Sequence, residues 1–223
     1  MKTVKFSGCY NYSHYFSRLF FVLVLLFKMV SMNSQDSPVK FYPSFGLSYG
    51  FFDPKDVNAF IKNDLSSHSI ASTSGTTDIF SYFEVRGGIT VKMKRIDFNG
   101  IGEYAGAPKV VLVTNGNSRT YYFSRTTIGA VSDFFIPLGS SGKSSLFFGG
   151  GVLYNFMKFK SYTASSPGFR LQAGVSLQFG KFNLEPNLAF NYAKATKHIT
   201  NDDFVMNYTG GQISLIFSFH KPN

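Results

Sequence analysis

The chain contains few of the residues from which disulfide frameworks, metal sites and most catalytic sites are built. Its 223 residues include one cysteine, four histidines and no tryptophan. A single cysteine cannot form an internal disulfide framework, and no cluster of metal ligands accompanies it. A nucleophilic triad needs a histidine beside a serine and a carboxylate, and none of the strands predicted below carries that set. We therefore predict that the protein is not an enzyme, and that it has no catalytic residues, no metal site and no cofactor.

Charged residues are also scarce, at 15% of the chain, and the basic ones outnumber the acidic ones by 22 to 12. Four basic residues and no acidic ones fall in residues 1–34, which leaves 18 against 12, or +6, in the rest of the chain. This excess is spread along the chain, without a basic block or a nucleic-acid-binding motif. The charge pattern therefore predicts no nucleic-acid partner.

The N-terminal segment has the pattern of a cleavable secretory signal peptide. Nine consecutive apolar residues, 19–27, are followed shortly by the small and polar segment MVSMNSQ. The basic residues before the apolar run are Lys2, Lys5 and Arg18. A transmembrane anchor, the alternative interpretation, would need about 20 apolar residues. We predict a signal peptide over residues 1–34, which removes Cys9, and one domain over residues 35–223.

Apolar and polar residues alternate along most of the predicted domain. In FRLQAGVSLQFGKFNLEPNLAFNY, residues 169–192, the alternation runs to Phe179 and resumes at Phe182 after two turn residues. A period of two over this length indicates two β-strands joined by a tight turn. The same pattern predicts six further strands, which brings the total to eight. These lie at residues 41–51, 79–93, 97–106, 121–136, 146–156 and 207–219.

The two faces of the predicted strands carry different kinds of side chain. One face holds mainly Phe, Leu, Val and Tyr, and the other holds mainly Gly, Ser, Asn and Gln with isolated charges. The polar face of a soluble barrel is usually rich in Lys, Glu and Asp. Strands of about 10 to 12 residues also suit a tilted membrane strand of roughly 9 to 11 residues. We predict that the apolar face meets lipid; a soluble, secreted, lipocalin-like binding protein with an apolar interior is the alternative.

The predicted connections are short at one end of the strands and long at the other. The short ones are 94–96, 137–144 and 180–181, and the long ones are 53–77, 107–120, 157–167 and 193–206. Short periplasmic turns and long outer loops are typical of outer-membrane barrels. In the first long loop, Val57, Phe60, Ile61 and Leu65 have helical spacing and predict a short amphipathic helix on the barrel rim. Pro186 falls inside a predicted strand, where we expect a β-bulge.

Three segments carry a resemblance to a known family: SMNSQ at the end of the signal peptide, the opening strand FYPSFGLSYGFF and the closing strand GGQISLIFSF. With them the chain resembles the small eight-stranded outer-membrane β-barrels of the OmpA/OmpX size class, in particular the PorT-like outer-membrane β-barrel domain proteins of Bacteroidota. The resemblance implies an all-β, antiparallel, up-and-down transmembrane β-barrel in the bacterial outer membrane. It also implies a monomer that contacts outer-membrane lipids and lipopolysaccharide, and the barrel-assembly machinery during insertion.

The interior of an eight-stranded barrel is just wide enough for side chains to fill it, which argues against a general diffusion pore. Buried charges are costly unless they are paired, so we predict an interior ion-pair network among the charged residues of the polar face. Its members are Glu84, Arg86, Arg170 and Glu185. Four lysines in the predicted outer loops are candidates to contact the phosphates of lipopolysaccharide. They are Lys158, Lys160, Lys194 and Lys197.

We therefore predict a structural or interaction role through the outer loops. One alternative is a barrel subunit of a secretion or envelope-assembly complex, with another envelope protein as its partner. Another is a lipid-modifying enzyme that acts through His68 or His198, both of which lie in predicted loops.

Overall fold

The computed structural model describes residues 40–67, 78–93, 95–112, 118–139, 143–199 and 202–219. The predicted signal peptide lies outside these ranges, and so does His68. Within them, no helix is long and apolar enough to cross a membrane.

The described ranges contain nine β-strands and one α-helix. The strands are β1 Lys40–Phe52, β2 Ser81–Met93, β3 Ile96–Leu112, β4 Ser118–Leu138, β5 Ser144–Phe159, β6 Tyr162–Phe179, β7 Phe182–Ile199, β8 Asp202–Asn207 and β9 Gly210–Phe219. The helix, α1, is Lys55–Ser67 and connects β1 to β2.

The strands form one closed barrel. From β1 to β7, strands that are consecutive in the chain are neighbours in the sheet, and the sheet closes where β9 pairs with both β1 and β7. β8 and β9 continue one another along β7, since Lys194 lies opposite Asn207 and Asn191 lies opposite Gly210 in a single antiparallel register. Together they form the eighth strand of the wall. The predicted all-β, eight-stranded, antiparallel, up-and-down barrel is confirmed.

The break between β8 and β9 is held by Tyr208. Its backbone N–H donates a hydrogen bond to the Ala193 carbonyl oxygen at 2.7 Å, which ties the break to β7. Its hydroxyl donates a 2.7 Å hydrogen bond to the carbonyl oxygen of Phe123 on β4. The interruption therefore places an aromatic side chain across the interior of the barrel.

Large apolar side chains point outward around the barrel, and polar side chains point inward. Exposed large hydrophobic residues occur on β1 to β7 and on β9, and the exposed fractions of Phe83, Val152 and Leu188 are 70%, 70% and 65%. The buried inward positions include Ser, Asn, Gln, Glu and Arg. A lipocalin-like binder would have the reverse arrangement. The outward orientation of the apolar face is the one that the alternation predicted.

The outward apolar surface forms a belt of defined height. On β6 it runs from Phe169 to Phe179 and on β7 from Phe182 to Tyr192. Ten residue steps on a strand tilted by roughly 40° correspond to a belt about 25 Å tall. Aromatic pairs mark both edges of the belt: the ring centroids of Phe169 and Tyr192 are 5.4 Å apart, and those of Phe179 and Phe182 are 5.5 Å apart.

The β-bulge expected at Pro186 is wrong. Gly174 lies opposite Asn187 and Leu177 lies opposite Leu184, so the register between β6 and β7 is the same on both sides of the proline. Two residue pairs between them are missing from the ladder, because proline has no N–H to donate. Pairing with β9 continues through Pro186, so the proline interrupts the hydrogen bonds on one side without inserting an extra residue.

Three of the four predicted outer loops are largely strand. The connections are residues 113–117 between β3 and β4, residues 160–161 between β5 and β6, and residues 200–201 between β7 and β8. Beyond the belt the outward face of a hairpin meets water instead of lipid and no longer has to be apolar. The alternation that marks a strand in the sequence is therefore weaker there, although the backbone pairing continues. We call this end, which also carries α1, the outer end, and the opposite end the inner end.

Candidate functional site: the capped barrel interior

Helix α1 covers the outer end of the barrel interior. Its predicted apolar stripe is present: Val57, Ile61 and Leu65 are all buried. The side chain of Asn58 holds the helix to the chain that enters β2, because Nδ2 donates to the Ile79 carbonyl oxygen at 3.0 Å and Oδ1 accepts from the Ile79 N–H at 2.8 Å. The helix predicted for the rim therefore acts as a cap.

Phe60 of the cap lies partly buried among aromatic residues of three strands. Its ring centroid is 5.6 Å from that of Phe159 on β5, 5.8 Å from that of Tyr162 on β6 and 6.1 Å from that of Phe204 on β8. Edge-on contacts of this kind add stabilisation beyond the buried area. The cap therefore packs against walls on more than one side of the opening.

Polar contacts also fasten the cap to the wall. The Tyr121 hydroxyl on β4 donates to Asp64 Oδ2 at 2.7 Å, and Lys160 Nζ lies 3.3 Å from the same oxygen. The Val205 N–H on β8 donates to Asp56 Oδ2 at 2.9 Å, so a cap carboxylate satisfies a backbone donor of β8. The cap is joined by side chains to β4, β8 and the turn between β5 and β6.

Beneath the cap, aromatic side chains fill the outer part of the interior. Tyr208 stacks on Phe52 with a ring-centroid distance of 4.5 Å, and its centroid is 4.4 Å from that of Phe123. Phe52 also contacts Tyr82 edge-on at 5.4 Å. This apolar layer continues into the buried stripe of α1. It separates the polar interior below from the outer end.

A network of four charged side chains crosses the interior directly below the aromatic layer. Glu84 on β2 is ion-paired with Arg125 on β4, and Arg170 Nη2 on β6 lies 3.8 Å from Glu84 Oε1. Arg170 also forms two parallel bonds with Glu103 on β3, one of them from Nη2 to Oε2 at 2.9 Å. The four side chains come from four strands and carry no net charge.

Neutral side chains complete the network. Gln212 Nε2 donates to Glu84 Oε1 at 2.7 Å, and Arg170 Nε donates to Asn191 Oδ1 at 2.6 Å. Arg125 lies over two aromatic rings, 5.4 Å from the Tyr82 centroid and 5.1 Å from the Tyr208 centroid. Cation–π contacts of a desolvated arginine are worth about 2 kcal/mol.

The network blocks the interior. The side chains of its four charged members are 0% to 1% exposed. Removing one partner of a buried ion pair costs about 3 to 5 kcal/mol, because the other charge is left uncompensated. Together with the aromatic layer and the cap, the network closes the outer half of the barrel to solvent.

A second polar group lies nearer the inner end. Asp133 accepts hydrogen bonds from Asn99 at 2.8 Å and from Gln172 at 2.8 and 3.0 Å. Thr90 donates to Asn99 at 2.6 Å. These side chains come from β2, β3, β4 and β6, so polar contacts also link the walls below the four-charge network.

The structure brings together two of the four residues predicted for an interior ion-pair network, Glu84 and Arg170. Arg86 is buried but forms no ion pair within 4 Å in the part of the chain that is described. Glu185 lies apart, near the inner end of β7, and accepts a 3.0 Å hydrogen bond from Ser176. Alternation assigns a side chain to the interior, but its height there depends on the strand register.

Sequence reasoning missed Arg125 and Glu103, which complete the network. Both occupy inward positions on β3 and β4, the two strands with the weakest alternation. The available signal was their charge: Glu103 falls two residues after the inward Ile101, and Arg125 falls two residues after the inward Phe123. A charged residue in phase with buried positions is a candidate for a paired interior site.

The four candidate lysines separate into different environments. Lys158 and Lys194 are exposed on outward-facing strand positions, two residues beyond Phe156 and Tyr192 at the outer edge of the belt. Lys160 instead lies over the Phe60 ring of the cap, 4.7 Å from its centroid. Lys197 lies opposite the buried Phe204, so it occupies an inward-phase position above the belt. Contrary to the prediction, three of the four lie on strands.

His198 also lies on a strand, β7, where a loop was predicted. Its Nδ1 is 2.5 Å from a carboxylate oxygen of Asp203, its cross-strand partner on β8, and both side chains are exposed. In the described ranges, no group of three or more His, Cys, Asp and Glu side chains is arranged to hold a metal ion.

The barrel is similar to a solved structure titled as the crystal structure of Neisserial surface protein A (NspA). The two share 14% sequence identity, the match covers 83% of this chain and 98% of that one, and the TM-score is 0.51. The likeness shows a common fold. No protein-family model matches the chain, and no curated protein sequence matches it either. Membership of the PorT-like family stays a prediction.

Proposed function

We propose that the protein is an integral β-barrel of a bacterial outer membrane, with a structural or interaction role through its outer end and without catalytic activity. The observation that carries the proposal is the belt of exposed apolar side chains around a barrel with a polar interior. A monomeric soluble protein rarely exposes an apolar patch above a few hundred square ångströms. A belt about 25 Å tall with aromatic edges matches the hydrocarbon thickness that outer-membrane barrels span.

The closed outer half supports a role other than that of a general pore. The cap, the aromatic layer and the four-charge network occupy successive levels of the interior. We expect the purified protein to give no steady ion conductance in planar lipid bilayers. Stable, open channels in most insertions would contradict this part of the proposal.

The outer end offers the partner surface. We propose that Lys158 and Lys194, which point outward just beyond the belt, contact lipopolysaccharide phosphates, while the belt contacts lipid chains. Lys160 and Lys197 have a smaller part in this proposal. Lys160 is ion-paired with Asp64 of the cap, and Lys197 occupies an inward-facing position of β7. Insertion would use the barrel-assembly machinery, as for other outer-membrane barrels.

The deciding experiment is membrane fractionation of the expressed protein, combined with gel electrophoresis before and after boiling. Recovery in the outer membrane, with a folded band that shifts on heating, is the expected result. Recovery as a soluble periplasmic protein without a heat shift would overturn the proposal. Co-purification of an envelope protein in stoichiometric amount would instead favour the alternative, a subunit of a secretion or envelope-assembly complex.

A further inference from the structure

The inner half of the barrel interior contains buried polar atoms that have no partner in the part of the chain that is described. Asn187 is 5% exposed, and neither its Nδ2 nor its Oδ1 forms a hydrogen bond. Three further buried atoms also form no hydrogen bond: Arg86 Nε, Asp97 Oδ1 and Ser44 Oγ. Buried polar groups are normally satisfied, and those that lack a protein partner bind ordered water or an ion.

The strand registers place these side chains at neighbouring inward positions. Gly46 is the next inward position of β1 after Ser44, and a β-carbon placed on it would lie 3.5 Å from the Arg86 Cβ. On the other side, β9 places Ser214 opposite both Ser48 of β1 and Asn187 of β7. The unpartnered atoms of β1, β2 and β7 therefore lie in the part of the interior below the four-charge network. Arg86 is one inward position from Glu84 on β2, and Asn187 is two inward positions from Asn191 on β7.

Carboxylates outnumber cations in this space. Asp97 and Asp133 lie opposite one another on β3 and β4, and both charges act on Glu185 from across the interior. The cations that face them are Lys92, 3.9 Å from Asp97, and Arg86. Arg170 also acts on Asp133 but is paired with Glu103, so at formal charges three carboxylates against two cations leave one negative charge.

The two ends of the interior differ in access. The Lys92 side chain, near the inner end of β2, is 36% exposed, and Glu185 near the inner end of β7 is partly exposed. The network toward the outer end is sealed. The inner end is therefore the more accessible end of the interior.

We propose that the inner half of the barrel is a blind, hydrated vestibule that admits water and small cations from the inner end and is closed above by the four-charge network. The vestibule is lined by Ser44, Arg86, Asp97, Glu185 and Asn187. A low-dielectric cleft lined by an excess of one charge concentrates ions of the opposite sign by about tenfold or more.

Cysteine accessibility tests the proposal in the full chain. In a Cys9→Ser background, single-cysteine variants are folded in detergent micelles and treated with a cationic or an anionic reagent, namely trimethylammonium-ethyl or sulfonato-ethyl methanethiosulfonate. Ser44→Cys and Asn187→Cys probe the vestibule. Ala107→Cys, a small change at a fully buried position of β3 on the outer side of the network, probes the sealed half. Ser165→Cys on the exposed outer hairpin supplies the intrinsic rate of each reagent.

We expect Ser44→Cys and Asn187→Cys to react in the folded barrel and Ala107→Cys to react only after unfolding. After normalisation to Ser165→Cys, the cationic reagent should react about tenfold faster than the anionic one. The double change Asp97→Asn and Glu185→Gln should abolish this preference.

Three results would overturn the proposal. Unreactive vestibule cysteines in a folded, heat-modifiable barrel would show that the inner half is sealed. Equal reactivity of Ala107→Cys would show that the space is not blind. Equal rates for the two reagents would remove the cation preference. If Asn187→Cys does not fold, Ser44→Cys decides alone, because its unpartnered hydroxyl is replaced by a thiol of similar size.

Discussion

The change Glu84→Gln should destabilise the barrel strongly, although it alters one atom and hardly changes the volume of the side chain. Glu84 is the ion-pair partner of Arg125, whose side chain is 0% exposed. Nε and Nη1 of Arg125 already have no hydrogen-bond partner in the described ranges. Neutralising Glu84 therefore removes the carboxylate in contact with a buried guanidinium and leaves a neutral amide and the faces of Tyr82 and Tyr208 against it.

The expected loss in the free energy of unfolding depends on the contacts that remain in the Glu84→Gln variant. An uncompensated buried charge costs about 3 to 5 kcal/mol. Arg170 keeps both bonds to Glu103, and the two ring contacts of Arg125 continue to offset part of the loss. We therefore expect a loss in the free energy of unfolding near the lower limit, about 3 kcal/mol.

The assay must use a signal other than tryptophan fluorescence, because the chain has no tryptophan. The folded fraction in urea can be read from the heat-modifiable gel band. Glu185→Gln is the matched control: it loses charge at a single 3.0 Å hydrogen bond from Ser176, which is worth about 1 kcal/mol. Combining Glu84→Gln with Arg125→Met should recover most of the loss, since the remaining charges of the network, Arg170 and Glu103, are paired with each other.

Two results would refute this reasoning. One is a loss for Glu84→Gln no larger than that for Glu185→Gln. The other is a double variant with Arg125→Met that is as unstable as Glu84→Gln alone. Either result would show that Arg125 is compensated by groups other than Glu84.

Three further predictions concern the belt, the cap and the outer rim. Leu188→Arg, in the middle of the belt, should lower the free energy of unfolding in lipid by about 2 to 4 kcal/mol. Thr196→Arg, on the same face of β7 above the belt, should lower it by less than about 1 kcal/mol. Equal losses in urea titrations would contradict a lipid-facing belt. Ile61→Ala should cost about 2 to 4 kcal/mol in the same assay if α1 packs as a cap, and a loss below about 0.5 would contradict that packing. The double change Lys158→Gln and Lys194→Gln should reduce the lipopolysaccharide that co-purifies with the barrel several-fold, and an unchanged amount would contradict the proposed contact.

The amphipathic segment in the first outer connection shows how far local pattern reaches. The helical spacing of Val57, Ile61 and Leu65 predicted α1 because a period of 3.6 is a local property of the chain. The pattern did not reveal what the stripe covers, since its partners Phe159 and Phe204 are about a hundred residues or more away in the chain. The sequence therefore predicts that this segment is a helix, but it does not predict that the helix closes the barrel interior.

The hairpins beyond the belt show the opposite case. The alternation of Phe182 to Tyr192 predicted β7 within the belt, because one side of the strand is apolar and the other polar there. Above Tyr192 that contrast weakens, so Lys197 and His198 were assigned to a loop although their backbone pairs with β8. In this region the inward residues Ala193 and Ala195 are buried but small, so the pairing with β8 defines the strand more clearly than the sequence pattern does.

Local residue pattern predicted the apolar side of each strand and the number of strands, because a period of two is a property of neighbouring residues. The scarcity of Lys, Glu and Asp on the polar face predicted the outward direction of the apolar face. Tertiary structure decided which interior charges meet. Glu84 pairs with Arg125, and Arg170 with Glu103, because the register of the closed barrel brings them to one level. Glu185 is equally inward but lies near the inner end, beyond reach of that network. Height within a barrel depends on the pairing of all the strands around it, and no local pattern encodes that.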